Sequence, residues 1–96
     1  MPAQTRVGDN DTGHDACGPT ALTSGSPNVF VNGRAAGRVG DPYAPRGCVV
    51  HPPHVGTISS GSGSVYINAK PAGRVGDSVS CGGSVAAGSG NVSVGG

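Results

Sequence analysis

Two stretches of the chain are near copies of each other, and this repeat constrains the fold more than any other feature of the sequence. Residues 24–41 read SGSPNVFVNGRAAGRVGD and residues 60–77 read SGSGSVYINAKPAGRVGD, with 11 of 18 positions identical. The 96 residues include 19 glycines and 8 prolines, a content often found in disordered chains. Because a disordered linker gains nothing from such a match, the repeat predicts an ordered structure built from similar units.

The repeat has a third, shorter member. The tetrapeptide RVGD occurs at 6–9, 38–41 and 74–77. A strand-like segment that begins with Gly-Ser follows each copy, at 25–33, 61–69 and 88–96. We therefore predict a single domain over residues 1–96, with three units at approximately 6–33, 38–69 and 74–96.

The repeated segments have the pattern of β-strands. Alternating β-branched residues occupy Val29–Val31, Val65–Ile67 and Val92–Val94, a period of two that is typical of strands. Asn32-Gly33 predicts a tight hairpin turn, and RAAGRVGD and KPAGRVGD then form the returning strands. We expect an all-β fold of about six to eight short strands. The Arg and Asp of RVGD could pair from unit to unit, and the Asp could also cap its own turn through its side chain. We interpret RVGD as a structural turn, with a contact surface as the alternative.

Charge and composition exclude several classes of protein. The formal net charge is +1 and the arginines are spread along the chain, so no nucleic-acid partner is expected. No apolar run is long enough to span a membrane. The N-terminal residues MPAQTRVGDNDTGHD lack the apolar stretch of a signal peptide, which favours a cytoplasmic location. Three cysteines without a signal peptide point away from a disulfide framework.

All ligand-type residues lie in the loops between the repeated segments. Loop one is residues 10–23, loop two is 42–59 and loop three is 78–87, and together they hold every histidine and cysteine of the chain. If the three units pack around a common axis, their loops meet at one end. One structural zinc ion then takes four ligands of N and S type, namely His14, His51, His54 and Cys81. Cys17 and Cys48 are the spare candidates and could replace one of the four.

Two prolines restrict the histidine pair in loop two, and the small apolar core would benefit from a stabilising metal ion. The two prolines of the HPPH sequence at 51–54 fix φ, which lowers the entropy that His51 and His54 lose on binding. With three aromatic residues in the whole chain, a domain of this size needs a staple beyond its apolar core.

The motifs of the chain resemble those of the proline-alanine-alanine-arginine (PAAR) repeat proteins. VFVNGRAAGRVGD and VYINAKPAGRVGD carry the resemblance, together with TGH near the start and CG before the last unit. Neither copy has the four letters intact, because Gly37 and Gly73 stand where the motif has its second alanine. The resemblance covers essentially the whole chain.

The resemblance implies a fold and a role. It implies a small cone of short β-hairpins with pseudo-threefold internal repeat, with zinc bound near the apex by histidines and a cysteine, here His14, His51, His54 and Cys81. The base of such a cone caps a trimeric β-helical spike (VgrG-like), one copy per trimer, in a type VI secretion system. The corresponding alternative is the baseplate spike tip of a contractile-tailed phage.

The same resemblance implies partners and a location. The tip pierces a target membrane, which it contacts transiently, and separate effector proteins are further candidate partners. The chain has the length of the repeat domain alone, so no effector extension is expected. The protein stays in the cytoplasm until assembly and is then delivered outside the cell or into a target cell, or forms part of the virion tail tip. Which residues bind the spike is not determined by the sequence.

Two alternatives of other classes follow from the predicted metal. A zinc-dependent hydrolase needs an open coordination position and a nearby acid or base, and Asp11 and Asp15 flank His14. Four protein ligands would close the tetrahedron, so a structural protein without catalytic residues is the preferred interpretation. A zinc-stapled adaptor unrelated to secretion is the third, and failure to bind a trimeric spike would distinguish it.

Overall fold

The computed structural model describes residues 1–13, 18–45 and 55–96. Regular structure there consists of four two-residue strands, β1 (Phe30–Val31), β2 (Arg34–Ala35), β3 (Tyr66–Ile67) and β4 (Lys70–Pro71), and of isolated β-bridges between other short segments. The described part contains no helix, in agreement with the predicted all-β class, and hence no helix that could cross a membrane.

Two tight hairpins are the most regular elements. β1 pairs antiparallel with β2, with Val31 opposite Arg34. Asn32 and Gly33 between them have φ values of 55° and 78°. Two left-handed residues in a two-residue loop match the right-handed twist of the flanking strands, so the predicted hairpin is confirmed. β3 and β4 repeat the arrangement with Ile67 opposite Lys70.

The last repeated segment finds its partner at the other end of the chain. Ser93 forms an antiparallel bridge with Ala3. The amide of Val94 donates to the carbonyl of Pro2 at 2.8 Å, and the amide of Gln4 donates to the carbonyl of Val92 at 3.0 Å. The predicted first unit starts at Arg6 and leaves residues 2–5 without a role, whereas in the structure these residues pair with 92–94.

The hairpins enclose a small apolar cluster. Its buried members are Val31, Ala36, Ile67, Ala72 and Val94. Gln4 stands at the position that alanine occupies in the other two copies, and its side chain is buried at 1% exposure. Its Nε2 donates to the carbonyl oxygens of Thr5 and Gly37 at 2.8 and 2.9 Å, so the amide group is held by backbone at the centre of the molecule.

Next to this cluster, three backbone hydrogen bonds form a closed ring. Thr5 donates to Gly73, Gly73 donates to Gly37 and Gly37 donates to Thr5, at 3.1, 2.9 and 3.0 Å. A methyl group at Gly37 would lie 2.7 Å from Thr5 Cγ2 and 2.7 Å from Leu22 Cδ2. Only one of the three ring positions therefore has room for a side chain, and Thr5 occupies it. Glycine is required at position 37, where the motif has alanine, because the neighbouring groups approach so closely.

Six short segments close into a second, larger ring on the other side. The bridges that close it are Asn10↔Ala21, Leu22↔Tyr43, Pro42↔Thr57, Ile58↔Val79, Ser78↔Ser84 and Val85↔Asp11. The main apolar core of the described residues fills it, with Leu22, Tyr43, Ile58, Val79 and Val85 buried at 0–3% exposure. These segments lie within the stretches that the sequence analysis treated as variable loops, so part of each loop is core.

Asp11 is the polar member of this six-segment ring. It lies opposite Val85 in its bridge, which places the two side chains on the same face, and it is 1% exposed. Its Oδ1 accepts hydrogen bonds from the amides of Gly13 and Thr20, both at 3.1 Å. Desolvating a carboxylate is costly without such donors, and here they come from the two flanks of loop one.

Candidate functional site

The RVGD sequence forms a clamp within its own turn. The amide and Nε of Arg38 donate to Asp41 Oδ2 at 2.8 and 2.9 Å, and Nη2 donates to Oδ1 at 2.9 Å. Both side chains are almost fully buried. Arg6 with Asp9 and Arg74 with Asp77 make the same contacts. The interpretation of RVGD as a structural turn is confirmed, and its Arg–Asp pairing is within the unit.

The arginines of these clamps stay charged at high pH. Hydrogen bonds to the partner aspartate raise the pKa of Arg6, Arg38 and Arg74 above the ordinary value, against a smaller opposing effect of burial. A raised pKa of a cationic group stabilises the fold at every pH below the ordinary pKa and loses that effect only as the pH rises through the folded-state value. Moderate alkali therefore leaves the clamps charged.

Each clamp also contacts the next repeated segment: two clamps contact a hairpin turn and the third contacts the C-terminal segment. Arg6 Nη1 donates to Asn32 Oδ1 at 3.0 Å and Arg38 Nη1 donates to Asn68 Oδ1 at 3.1 Å. At the corresponding place, Arg74 Nη1 donates to the carbonyl of Gly95 at 3.3 Å. Sequence reasoning identified Asn32 as a turn residue and missed this second role, which depends on a contact 26 residues away along the chain.

The three repeated segments, two of them in the hairpins and the third at residues 92–94, expose apolar side chains to solvent. We refer to the corresponding places in these segments as the three hairpin positions. Val29, Val65 and Val92 are exposed by 38%, 39% and 37%, and Phe30 and Tyr66 by 60% and 58%. We call these five residues the hairpin surface. The three valines occupy corresponding positions of the repeated segments and have nearly the same exposed fraction. Exposed large apolar side chains that lie together are typical of an interaction site, which makes these residues the candidate contact surface.

Most of the predicted metal ligands lie outside the described residues. This holds for His14, His51 and His54, and also for the spare candidates Cys17 and Cys48. Cys81 is described, and its thiol is half-buried and free. No group of three or more His, Cys, Asp or Glu side chains suited to a metal forms within residues 1–13, 18–45 and 55–96. The four-residue ligand set therefore stays a prediction.

The flanks of all three loops nevertheless meet beside Cys81. A methyl group at Gly56 of loop two would lie 2.7 Å from Cys81 Sγ, and the amide of Ser80 donates to the carbonyl of Thr57 at 2.8 Å. On the other side, the amide of Thr12 in loop one donates to the carbonyl of Ser84 at 2.9 Å. We call this end of the molecule, around residues 80–84, the loop end.

This arrangement fits the donor set that zinc prefers. A free thiol at the meeting point of two further loops can supply sulfur, and those loops carry the three imidazoles in the sequence. Four ligands of N and S type form a closed tetrahedral zinc site. The ion would act as a structural staple, and Asp11 would shape loop one by holding its two flanks through Gly13 and Thr20.

Comparison with models of protein families matches residues 10–87 to the model described as PAAR motif. The matched range includes two of the three RVGD clamps, most of the hairpin surface and all three loops. A comparison with curated proteins gave no match.

Proposed function

Because the chain belongs to the PAAR-motif family, as its motifs indicated, we propose that it caps the end of a trimeric β-helical spike through its hairpin surface. The family match supports a spike-tip role in a type VI secretion system or related contractile injection machine in general. The near-equal exposure of Val29, Val65 and Val92 supports the more specific assignment, because a homotrimer presents the same surface three times.

The geometry suits one copy of the chain on each trimer. A single chain with three similar hairpin positions, related by a pseudo-threefold axis, can match a true threefold partner without breaking its symmetry. The closed backbone ring of Thr5, Gly37 and Gly73, each the residue just before an RVGD arginine, supports this arrangement. Covering the spike also protects the end of its β-helix, since exposed sheet edges invite unwanted pairing.

At the other end, we propose that one zinc ion held by His14, His51, His54 and Cys81 stiffens the point of the tip. When bound, the ion supplies a cross-link between loops and no chemistry on a substrate. The residues around it hold the loop flanks together: Thr12 with Ser84, and Thr57 with Ser80. A small, stiff end concentrates the force of contraction on a target membrane, and this role requires no catalysis.

The location of the protein follows from the role that we propose. The tip waits in the cytoplasm until it is assembled on the spike and is then delivered outside the cell or into a target cell. Effector proteins that travel with the tip are further candidate partners in this scheme.

The capping proposal is tested with the purified trimeric spike protein of the same organism. Phe30→Asp and Tyr66→Asp place a charge on the hairpin surface, and we expect each to weaken spike binding by at least about tenfold, because an unpaired charge is buried in the complex. Ala86→Asp adds the same charge to an exposed residue of loop three and should leave binding unchanged. Wild-type protein that fails to bind the spike, or equal binding by all three variants, would contradict the proposal.

A further inference from the structure

The side chains of the hairpins carry more positive than negative charge, and the extra cations belong to the same two hairpins as Phe30 and Tyr66. The carboxylates of Asp9, Asp41 and Asp77 are each taken by the arginine of their own RVGD turn. Two more cations follow the turns of the two regular hairpins, Arg34 and Lys70, at matching positions opposite Val31 and Ile67.

The two extra cations differ in how far they are neutralised. Arg34 Nη1 lies 3.0 Å from Asp9 Oδ1, but its side chain remains 48% exposed and shares that carboxylate with Arg6. Lys70 is exposed, and no described carboxylate lies within ion-pair distance of it. The remaining described aspartate, Asp11, lies in the six-segment ring and is bonded to backbone amides there. The side chains of the hairpins therefore keep a net positive charge, which is least neutralised at Lys70.

From this charge and the apolar side chains beside it, we propose that the hairpin surface fits a protein partner whose matching end is apolar and is edged by carboxylates opposite Lys70 and Arg34. The inference rests on the proposed function for the identity of the partner and adds its surface chemistry. Charges at the edge of an interface chiefly accelerate association and select the partner, while the apolar centre supplies most of the affinity.

The same residues would also suit an anionic lipid surface, but two observations favour a protein. The three valines are exposed almost equally at recurring positions, which a fluid bilayer does not require. The hairpins are also tied to each other, with Asn32 Nδ2 donating to Asn91 Oδ1 at 2.9 Å and Asn68 Nδ2 donating to Asn28 Oδ1 at 2.8 Å. Fixed positions of this kind suit a partner that has fixed positions of its own.

The test measures association and dissociation rates with the purified trimeric spike protein at about 50 mM and about 300 mM NaCl, where screening differs strongly. Lys70→Gln and Ala86→Glu each lower the net charge by one, the first beside the hairpin surface and the second in loop three. We expect Lys70→Gln to slow association about two- to fivefold at low salt with little change in dissociation. Lys70→Arg should restore the rate, and Ala86→Glu should keep at least half of it.

Each result separates this inference from the proposed function. If the wild-type protein does not bind the spike, the capping proposal fails and this inference falls with it. If it binds, but Lys70→Gln and Ala86→Glu associate at equal rates, the capping proposal stands and the inferred carboxylates on the spike are wrong. Vesicles of phosphatidylcholine and phosphatidylserine form the second arm. A Lys70 effect on vesicle binding without one on spike binding would overturn the choice of a protein partner.

Discussion

The hairpins and the loop end differ in how closely the three units resemble each other. At the hairpins, the same contacts occur three times: the Arg–Asp clamp, the serine hydroxyl that accepts from the third amide after it, and the exposed valine. At the loop end, equivalent places in the six-segment ring hold Asp11, Tyr43 and Val79, and the loops differ in length and composition.

The contrast follows from what each end is proposed to bind. A homotrimeric spike presents three identical surfaces, so residues that face it gain from being alike. A single tetrahedral ion takes four ligands from three loops, so at least one loop must differ from the others. In the predicted set, loop two supplies two histidines, whereas loops one and three supply one ligand each.

Removal of the metal gives the largest expected effect and tests whether the loop end depends on it. Structural zinc supplies about 10–16 kcal/mol in small peptides, so we expect chelation to lower the Tm by more than about 10 °C. Amide exchange should accelerate first at Ser80 and Ser84, and later at Val29 and Val65 in the hairpins. Purified protein should contain about one zinc per chain.

The control for chelation is the double variant His51→Ala/His54→Ala. It should contain little zinc and melt at a lower temperature than the wild type, with no further change on chelation. Absence of zinc from the wild-type protein, with a Tm that chelators do not alter, would show that the ligand assignment is wrong.

Loss of one partner from a clamp should be the next largest effect. Asp41→Ala leaves the Arg38 guanidinium buried without its carboxylate, which we expect to cost about 3 kcal/mol in the free energy of unfolding. Denaturant unfolding measures it. The replacement of Arg38 and Asp41 together by Met and Leu should cost less than Asp41→Ala, and a larger cost for the double variant would contradict this account of the clamp.

The backbone ring between the two ends is tested by a single methyl group. Gly37→Ala brings a methyl against Thr5 and Leu22, and overpacking of this kind costs about 1–3 kcal/mol. Thr5→Ala removes one of the two contacts and should recover part of the loss in the double variant. Gly90→Ala has open space around it and serves as the control. Equal unfolding free energies for Gly37→Ala and Gly90→Ala would mean that the centre is not tightly packed.

The smallest effect is expected for the exposed ion pair. Arg34→Gln removes the second cation on Asp9 while Arg6 keeps the clamp intact. Exposed ion pairs contribute about 0–1 kcal/mol to stability. We therefore expect Arg34→Gln to lower the free energy of unfolding by less than Asp41→Ala does. The loss caused by Arg34→Gln should be smaller at high salt than at low salt. A loss as large as that of Asp41→Ala would show that Arg34 is part of the clamp.

Several features were predictable from the sequence because they depend on neighbouring residues. The hairpin turn at Asn32-Gly33 needs only residues that tolerate positive φ, and the RVGD clamp closes within four residues of chain. The alternation of Val29, Phe30 and Val31 likewise predicts a strand at that place. The family followed from motifs that the chain repeats in order.

Other features depend on contacts between distant segments, and no local pattern of residues indicates them. The pairing of residues 2–4 with 92–94 joins the two ends of the chain. The closed ring of Thr5, Gly37 and Gly73 explains why glycine replaces alanine, yet that reason is visible only when three backbones meet. Tyr43 belongs to the core although its surroundings in the sequence are typical of a loop.

The repeated turns, the strand pattern and the family motifs follow from consecutive residues, because local backbone preferences and motif order are properties of short stretches of chain. Packing between distant segments sets which segments close the two rings and which side chains of the repeated segments stay exposed. It also brought the flanks of the three loops together beside Cys81. Such contacts arise from packing around a common centre, which no single stretch of the chain encodes.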